Sequence, residues 1–240
     1  MKKKNIFAKC IAIAVIFLLS ILYVAKYSGP SLLRLYIETG IGTCEKMPVF
    51  CMSPGPEIIS PKINKKYALG LLPSEFPGMS ICTPQDFAVF KEMLEKVYYK
   101  KNKRKHGGNV IYLLHEEPDF FIHLFPQLTR RGVASDYEFI KRTMFAKSKD
   151  IKNLTDAFFV IMKSVFVPGL GDSKTAKMAQ FTLTDKRGFI NYNLSKSGNY
   201  FDCNMFDSAR NFFKIYIKDK DASLDLDKVM TIISTVNKHN

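Results

Sequence analysis

The stretch from Cys10 to Ala25 carries no charged side chain, and it follows Lys2, Lys3, Lys4 and Lys9. Counted from Ile6 to Ala25 it is about twenty residues long. As a helix rising about 1.5 Å per residue it roughly matches a ~30 Å hydrocarbon core. Lys9 stands near the end of that run, where its stem lets the ammonium snorkel. A cleaved secretory signal would share the basic start but wants small residues three and one before the cut. Around Ala25 the outer position is Tyr23, which fits badly, and Cys10 precedes the run where a lipoprotein cysteine would follow it. A buried helix of a soluble domain is the third reading. The expectation is an uncleaved signal-anchor over residues 1–26 in a single-pass membrane protein. Lysines on the first flank, against Lys26 and Arg34 on the second, put the N-terminus in the cytoplasm by the positive-inside rule. The remainder is then extracytoplasmic, with a bacterial periplasm as the simplest such place.

Charge has to be apportioned on that basis. Five of the 36 basic residues (Lys2, Lys3, Lys4, Lys9 and Lys26) belong to the anchor, leaving 31 against 22 acids, or about +9. The run Lys100, Lys101, Lys103, Arg104 and Lys105 concentrates much of it and could face the phosphates of anionic lipid headgroups or of nucleic acid. A solvated loop after a helix would look the same. Nucleic acid is not expected as a partner of an outward-facing domain. Beyond Cys10, four cysteines remain: Cys44, Cys51, Cys82 and Cys203. In an oxidising compartment they permit two disulfides in three connectivities, and buried free thiols fit equally. None forms a CxxC, so neither a zinc knuckle nor a thioredoxin-like site is suggested.

A length of 240 residues suits one domain plus an appendage. Gly29-Pro30-Ser31 breaks the chain, and Ser31 to Gly40 reads as a short helix at the membrane surface. Prolines then recur through residue 84, which gives a juxtamembrane helix and proline-rich linker over 27–78 and a regular domain over 79–240. Within the domain Met79–Cys82 reads as a strand. Phe87, Phe90, Met93, Leu94 and Val97 fall at helical spacing behind Thr83-Pro84. Asn109–Leu114 is a strand and Phe120–Phe125 another; Asp136–Lys147 and Leu154–Val167 are helices. Strands follow at Met178–Thr184, Gly188–Leu194, Tyr200–Phe206 and Phe212–Lys218, with hairpin loops at 185–188 and 195–199. Leu226, Val229, Met230, Ile233 and Val236 share one face of a final helix. The sum is an α+β domain, helices packed on a mainly antiparallel sheet, behind a transmembrane helix. From Met79 to Val236 this order of elements resembles the PsbP/Mog1-like α/β/α sandwich domains. That resemblance implies assembly and binding modules with no shared catalytic site, and fold analogy does not set function.

Three strings invite chemistry. Asp219, Asp221, Ser223, Asp225 and Asp227 alternate side-chain oxygens as an EF-hand loop does. Leu224 stands where that loop needs glycine, and Met230 where it needs a bidentate glutamate. A polar turn, then acids at the positive end of the final helix with Ser223 or Asp225 capping it, accounts for the same residues. His106, His115 and His123 lie close together with Glu116, Glu117 and Asp119 between them, which invites the reading of a zinc hydrolase. The spacing is not HExxH, and Pro118 would break the required helix. Gly169 to Thr175 ends in Lys-Thr like a P-loop, but Ser173 replaces the glycine before the lysine, and the segment follows a helix. The expected function is a membrane-anchored, non-catalytic binding or assembly protein that acts on another envelope protein or on anionic lipid, with no cofactor. The alternative is a metal-dependent or calcium-stabilised envelope enzyme.

Overall fold

The computed structural model describes residues 28–32, 34–35, 56–92, 96–101, 108–166 and 176–239. The chain divides into two units, one of Met1–Ser53 with Ala146–Ser164, the other of Pro54–Phe145 with Val165–Asn240.

The first unit shows helical backbone at 28–32 and 34–35, a 3-10 turn at Ser148–Asp150, and most of the helix Leu154–Phe166. Asn153 starts that helix: its Oδ1 accepts from the amides of Thr155 and Asp156 at 2.8 and 3.1 Å. Asp156 returns an oxygen to the Asn153 amide at 3.2 Å, so orphan donors of the first turn are satisfied reciprocally.

The second unit contains an eight-stranded sheet and a three-stranded one. In chain order its elements are β1 (Glu57–Ile59), α1 (Lys65–Ala68), β2 (Leu71–Phe76), β3 (Met79–Pro84), β4 (Phe87–Glu92), β5 (Lys96–Lys100), β6 (Val110–Glu116), α2 (Phe120–Leu124), α3 (Asp136–Phe145), β7 (Lys177–Thr182), β8 (Lys186–Ser195), β9 (Gly198–Asp207), β10 (Phe212–Asp219), α5 (Leu226–Ser234) and β11 (Asn237–Lys238). The helix Leu154–Phe166 takes the label α4. The large sheet runs β1-β7-β8-β9-β10-β6-β5-β4, antiparallel throughout except that β1 pairs with β7 in parallel; the small one runs β11-β3-β2.

Strand alternation gives the large sheet two different faces. Phe181, Ile190, Cys203, Met205, Ile215 and Ile111 on one face join Ile81 of β3 and Val229, Met230 and Ile233 of α5 in one buried cluster. The helix is tied in by hydroxyls: Thr231 accepts from the Asn64 amide and Thr235 from the Cys82 amide. At Gly188 the β9 backbone passes close to β8. A Cβ there would stand 2.2 Å from the Asn204 carbonyl oxygen, so only glycine fits. The opposite face carries Phe189, Asn191, Asp202, Asn204, Phe206, Phe212 and Lys214, as the registers of β8, β9 and β10 require. At one end of this face Phe121 of α2 stacks on Phe139 at 5.1 Å and meets Phe166 and Phe212 edge-on at 5.2 and 5.1 Å.

Several expectations are corrected. Of residues 87–97, read as a helix, 87–92 and 96–97 instead fall in β4 and β5; the aromatic and β-branched residues of the sequence suit a sheet, and β5 pairs with β6. Phe120–Leu124, read as a strand, is a helix; a short apolar run has no period that separates the two. The α+β fold expected behind a transmembrane helix is therefore replaced by a mixed α/β fold built on a large sheet with few helices. Among the described residues no helix is long and apolar enough to cross a membrane. The longest of them, α4, has 13 residues, extends about 20 Å and carries Asp156 and Lys163. The expected span, Ile6 to Ala25, lies outside the described residues. Among the described residues the single-pass, extracytoplasmic assignment therefore finds no helix to support it, and a charge-free run fixes hydrophobicity and not a spanning element. Strands at Glu57–Ile59 and Leu71–Phe76 lie within the stretch read as linker.

Candidate functional site

The residues singled out by sequence pattern are mostly occupied by one another. Asp219 is buried, and its carboxylate accepts from the Leu224 amide at 2.6 Å, from Ser223 Oγ at 3.2 and 3.3 Å, and from Asn109 Nδ2 at 3.3 Å. Asp221 takes Asn109 Nδ2 at 2.9 Å and Lys100 Nζ at 3.0 Å. Asp225 caps α5 through the Lys228 amide at 2.8 Å, and Asp227 lies in the first turn. The string is a loop closed on protein donors, with a helix cap at its end. Lys100 also pairs with Asp86 at 3.1 Å, and Lys101 Nζ donates to the Gln85 carbonyl, so these two members of the basic run face protein acceptors. Lys103, Arg104, Lys105 and His106 lie outside the described residues, as do Cys44 and Cys51. His115 packs its ring on Phe213 at 5.3 Å near the end of β6, while His123 is exposed on α2. Cys82 and Cys203 are free thiols on different sheets, and burial raises the Cys203 pKa well above its ordinary value. Among the described residues no group of three His, Cys, Asp or Glu side chains converges to hold a metal ion.

A concave site lies instead at the end of the large sheet, between the β7–β8 and β9–β10 loops. It is a recess of about 280 Å³ lined by Lys186, Arg187, Ser208 and Arg210, with Asp185 and Asp207 at its sides. A small chamber of about 20 Å³ adjoins it, sharing Arg187 and Arg210 and adding Asp119, Asp136 and Tyr137. Each side chain has a traceable origin. Tyr137 lies in the first turn of α3 and is held between Phe189, stacked at 5.9 Å, and Phe206, edge-on at 5.7 Å. Its hydroxyl accepts from Gln180 Nε2 at 3.1 Å. The Arg187 guanidinium lies 4.0 Å above that fixed ring, a cation–π contact that presets its direction. Arg210 has φ of 70°, in the left-handed region, within the turn whose Arg210 amide donates to the Asp207 carbonyl. Asp119 has φ of 65° and meets Arg210 Nη2 at 3.5 Å across the chamber. Two side chains in a conformation that favours glycine thus close on the same space.

The carboxylates around the recess are engaged. Asp185 pairs with Lys186, Asp119 with Arg210, and Asp207 accepts from both the Asn211 amide and its Nδ2 at 2.9 and 2.8 Å. Asp136 is 3% exposed; Oδ1 accepts from the Ile122 amide at the start of α2, and Oδ2 has no partner. Burial raises the Asp136 pKa, partly offset by the amide bonds from α2. The arrangement can therefore offer guanidinium donors to an anion and one buried oxygen to a donor.

A second polar group lies on the same sheet face. Asn191, Asp202 and Asn204 are fully buried, and the Nδ2 of each asparagine reaches only the Phe166 carbonyl, at 3.5 Å. Lys214 Nζ stands 3.4 Å from Asp202 Oδ2, yet burial still pushes the Asp202 pKa up to about 6.

Of these residues only Asp119 stood out in the sequence, as an acid beside the histidines and not as a partner of Arg210. The string Asp185 to Gly188 read as a hairpin loop, but the turn lies at 183–185 and Lys186, Arg187 and Gly188 already pair in β8, and nothing in the string marks Arg187 as stacked. Asp119 and Arg210 meet through topology, which no local pattern reports.

No family model matches the sequence, and no curated protein is similar to it. Among solved structures, a crystal structure from Bacteroides thetaiotaomicron VPI-5482 is similar at 8% identity, with 68% of this chain covered and a TM-score of 0.29. The match spans 46% of that chain, less than half its length. A likeness at that score carries no argument.

Proposed function

We propose that this chain is a non-catalytic binding or assembly protein that holds its partner through a carboxylate seated in the recess at the end of the large sheet. The observation that supports this reading is the preset Arg187 guanidinium, fixed 4.0 Å above Tyr137 while Asp185, Asp119 and Asp207 are paired with other groups. A planar guanidinium with its direction already set loses little freedom when it forms two parallel bonds to a carboxylate. The left-handed backbone at Asp119 and Arg210 is a cost held in place beside the same recess, as functional sites commonly show.

Glutarate serves as the probe, because it presents carboxylates and no other polar group. Thermal melting at constant ionic strength is expected to rise with glutarate for the wild-type protein and to stay level for Arg187→Gln. Equal responses in both proteins, or none in either, would contradict the reading.

A further inference from the structure

We infer that the recess and its adjoining chamber together form a site for an α-amino dicarboxylate, glutamate-like in chemistry, whose ammonium enters the chamber at Asp136. The inference rests on the carboxylate reading above and adds to it the identity of the second group.

The chamber sets the requirement. At about 20 Å³ it admits one group the size of a water molecule. Asp136 lines it with an oxygen, Oδ2, that forms no hydrogen bond, on a side chain only 3% exposed. A buried carboxylate oxygen left unpaired is costly, and an ammonium supplies both the missing hydrogen bond and the compensating charge. The other Asp136 oxygen is already bound to the Ile122 amide, so the carboxylate is fixed by α2 and cannot turn away to find another partner.

Arg187 and Arg210 border both spaces, which puts cationic donors next to the ammonium position. Arg187 suits the carboxylate nearer the amine. Arg210 holds Asp119 through a single 3.5 Å contact and is 63% exposed, which leaves donors for a second carboxylate in the wider recess. One acceptor and two guanidiniums match one ammonium and two carboxylates.

Three compounds that differ by one group each separate this inference from the reading beneath it. Glutarate lacks the amine of L-glutamate, and 4-aminobutanoate lacks its α-carboxylate. By calorimetric titration of the whole chain, L-glutamate is expected to bind at least about tenfold more tightly than glutarate, the scale of one charge-assisted hydrogen bond. It should exceed 4-aminobutanoate by a similar factor. In Asp136→Asn, which keeps an oxygen for the Ile122 amide but turns an amide nitrogen toward the chamber, glutarate should bind as before and the preference for glutamate should vanish. Equal affinity of wild-type protein for glutamate and glutarate would overturn the inference while leaving the carboxylate reading intact, with water as the chamber's occupant. Failure of all three compounds to bind would overturn both.

Discussion

Asp202 pairs across the ladder with Asn191 on one side and Tyr216 on the other, fully buried, with Lys214 3.4 Å away. Its pKa of about 6 lies above the value near 3.9 of an unfolded aspartate, so the folded protein holds this proton more tightly than the unfolded chain does. The associated stability is complete below about pH 4 and is lost as pH rises through about 6. Asp202→Asn keeps the shape and removes the charge. Urea unfolding should find this variant more stable than wild type at pH 8, by about 3 kcal/mol, with the difference closing at pH 4. A variant less stable at pH 8 would mean that the Lys214 ion pair outweighs the cost of burying the charge. Lys163 is the converse case in the other unit. Buried and bonded to the Ala146 carbonyl at 3.0 Å, its pKa is pushed down by burial, and further by Lys147, to about 8. Its folded pKa lies below the unfolded one, so its contribution improves as pH rises from about 8 toward 10.

At the scale of elements, α2 is the least self-sufficient part of the recess. It has five residues, Asp119 in the N-cap position makes no side-chain bond to it, and its Ile122 amide is met by Asp136 from α3. A helix this short is not stable alone, so packing must hold it. Phe121 supplies that packing through its contacts with Phe139, Phe166 and Phe212. Phe121→Ala should cost about 3–5 kcal/mol, the range for a buried aromatic truncated to alanine. Hydrogen exchange at Ile122 and His123 should accelerate more than exchange in β9, which is paired on both sides. Equal acceleration in both places would show that α2 opens only with the whole unit. The strands β7 to β10 and the helix α5 were legible in the sequence because each carries its own period: alternation across a two-faced sheet, or an apolar stripe on one helical face. The Asp225 cap was legible for the same local reason. Residues 87–97 were not, since phenylalanines spaced for a helix also satisfy a sheet once β6 offers an edge.

At the scale of the whole molecule, the recess was illegible because its parts come from four places: the α2 start, the first turn of α3, and the β7–β8 and β9–β10 loops. Only the antiparallel order β7-β8-β9-β10 brings both loops to one end of the sheet. The strings that did look chemical, from Asp219 to Asp227 and around His115, are local by construction. In the structure the first closes on its own hydrogen bonds, and His115 stacks on Phe213. Local pattern therefore located turns and caps, and long-range pairing located the site. The central claim is that Arg187 receives a carboxylate, and the Nε–Hε resonance of Arg187, followed by NMR during a glutarate titration, reports on it most directly. A saturable downfield shift of that resonance, absent with sodium chloride at equal ionic strength, is the predicted result. An Arg187 resonance that stays in place while the protein binds glutarate, or a protein that binds none, would contradict the account.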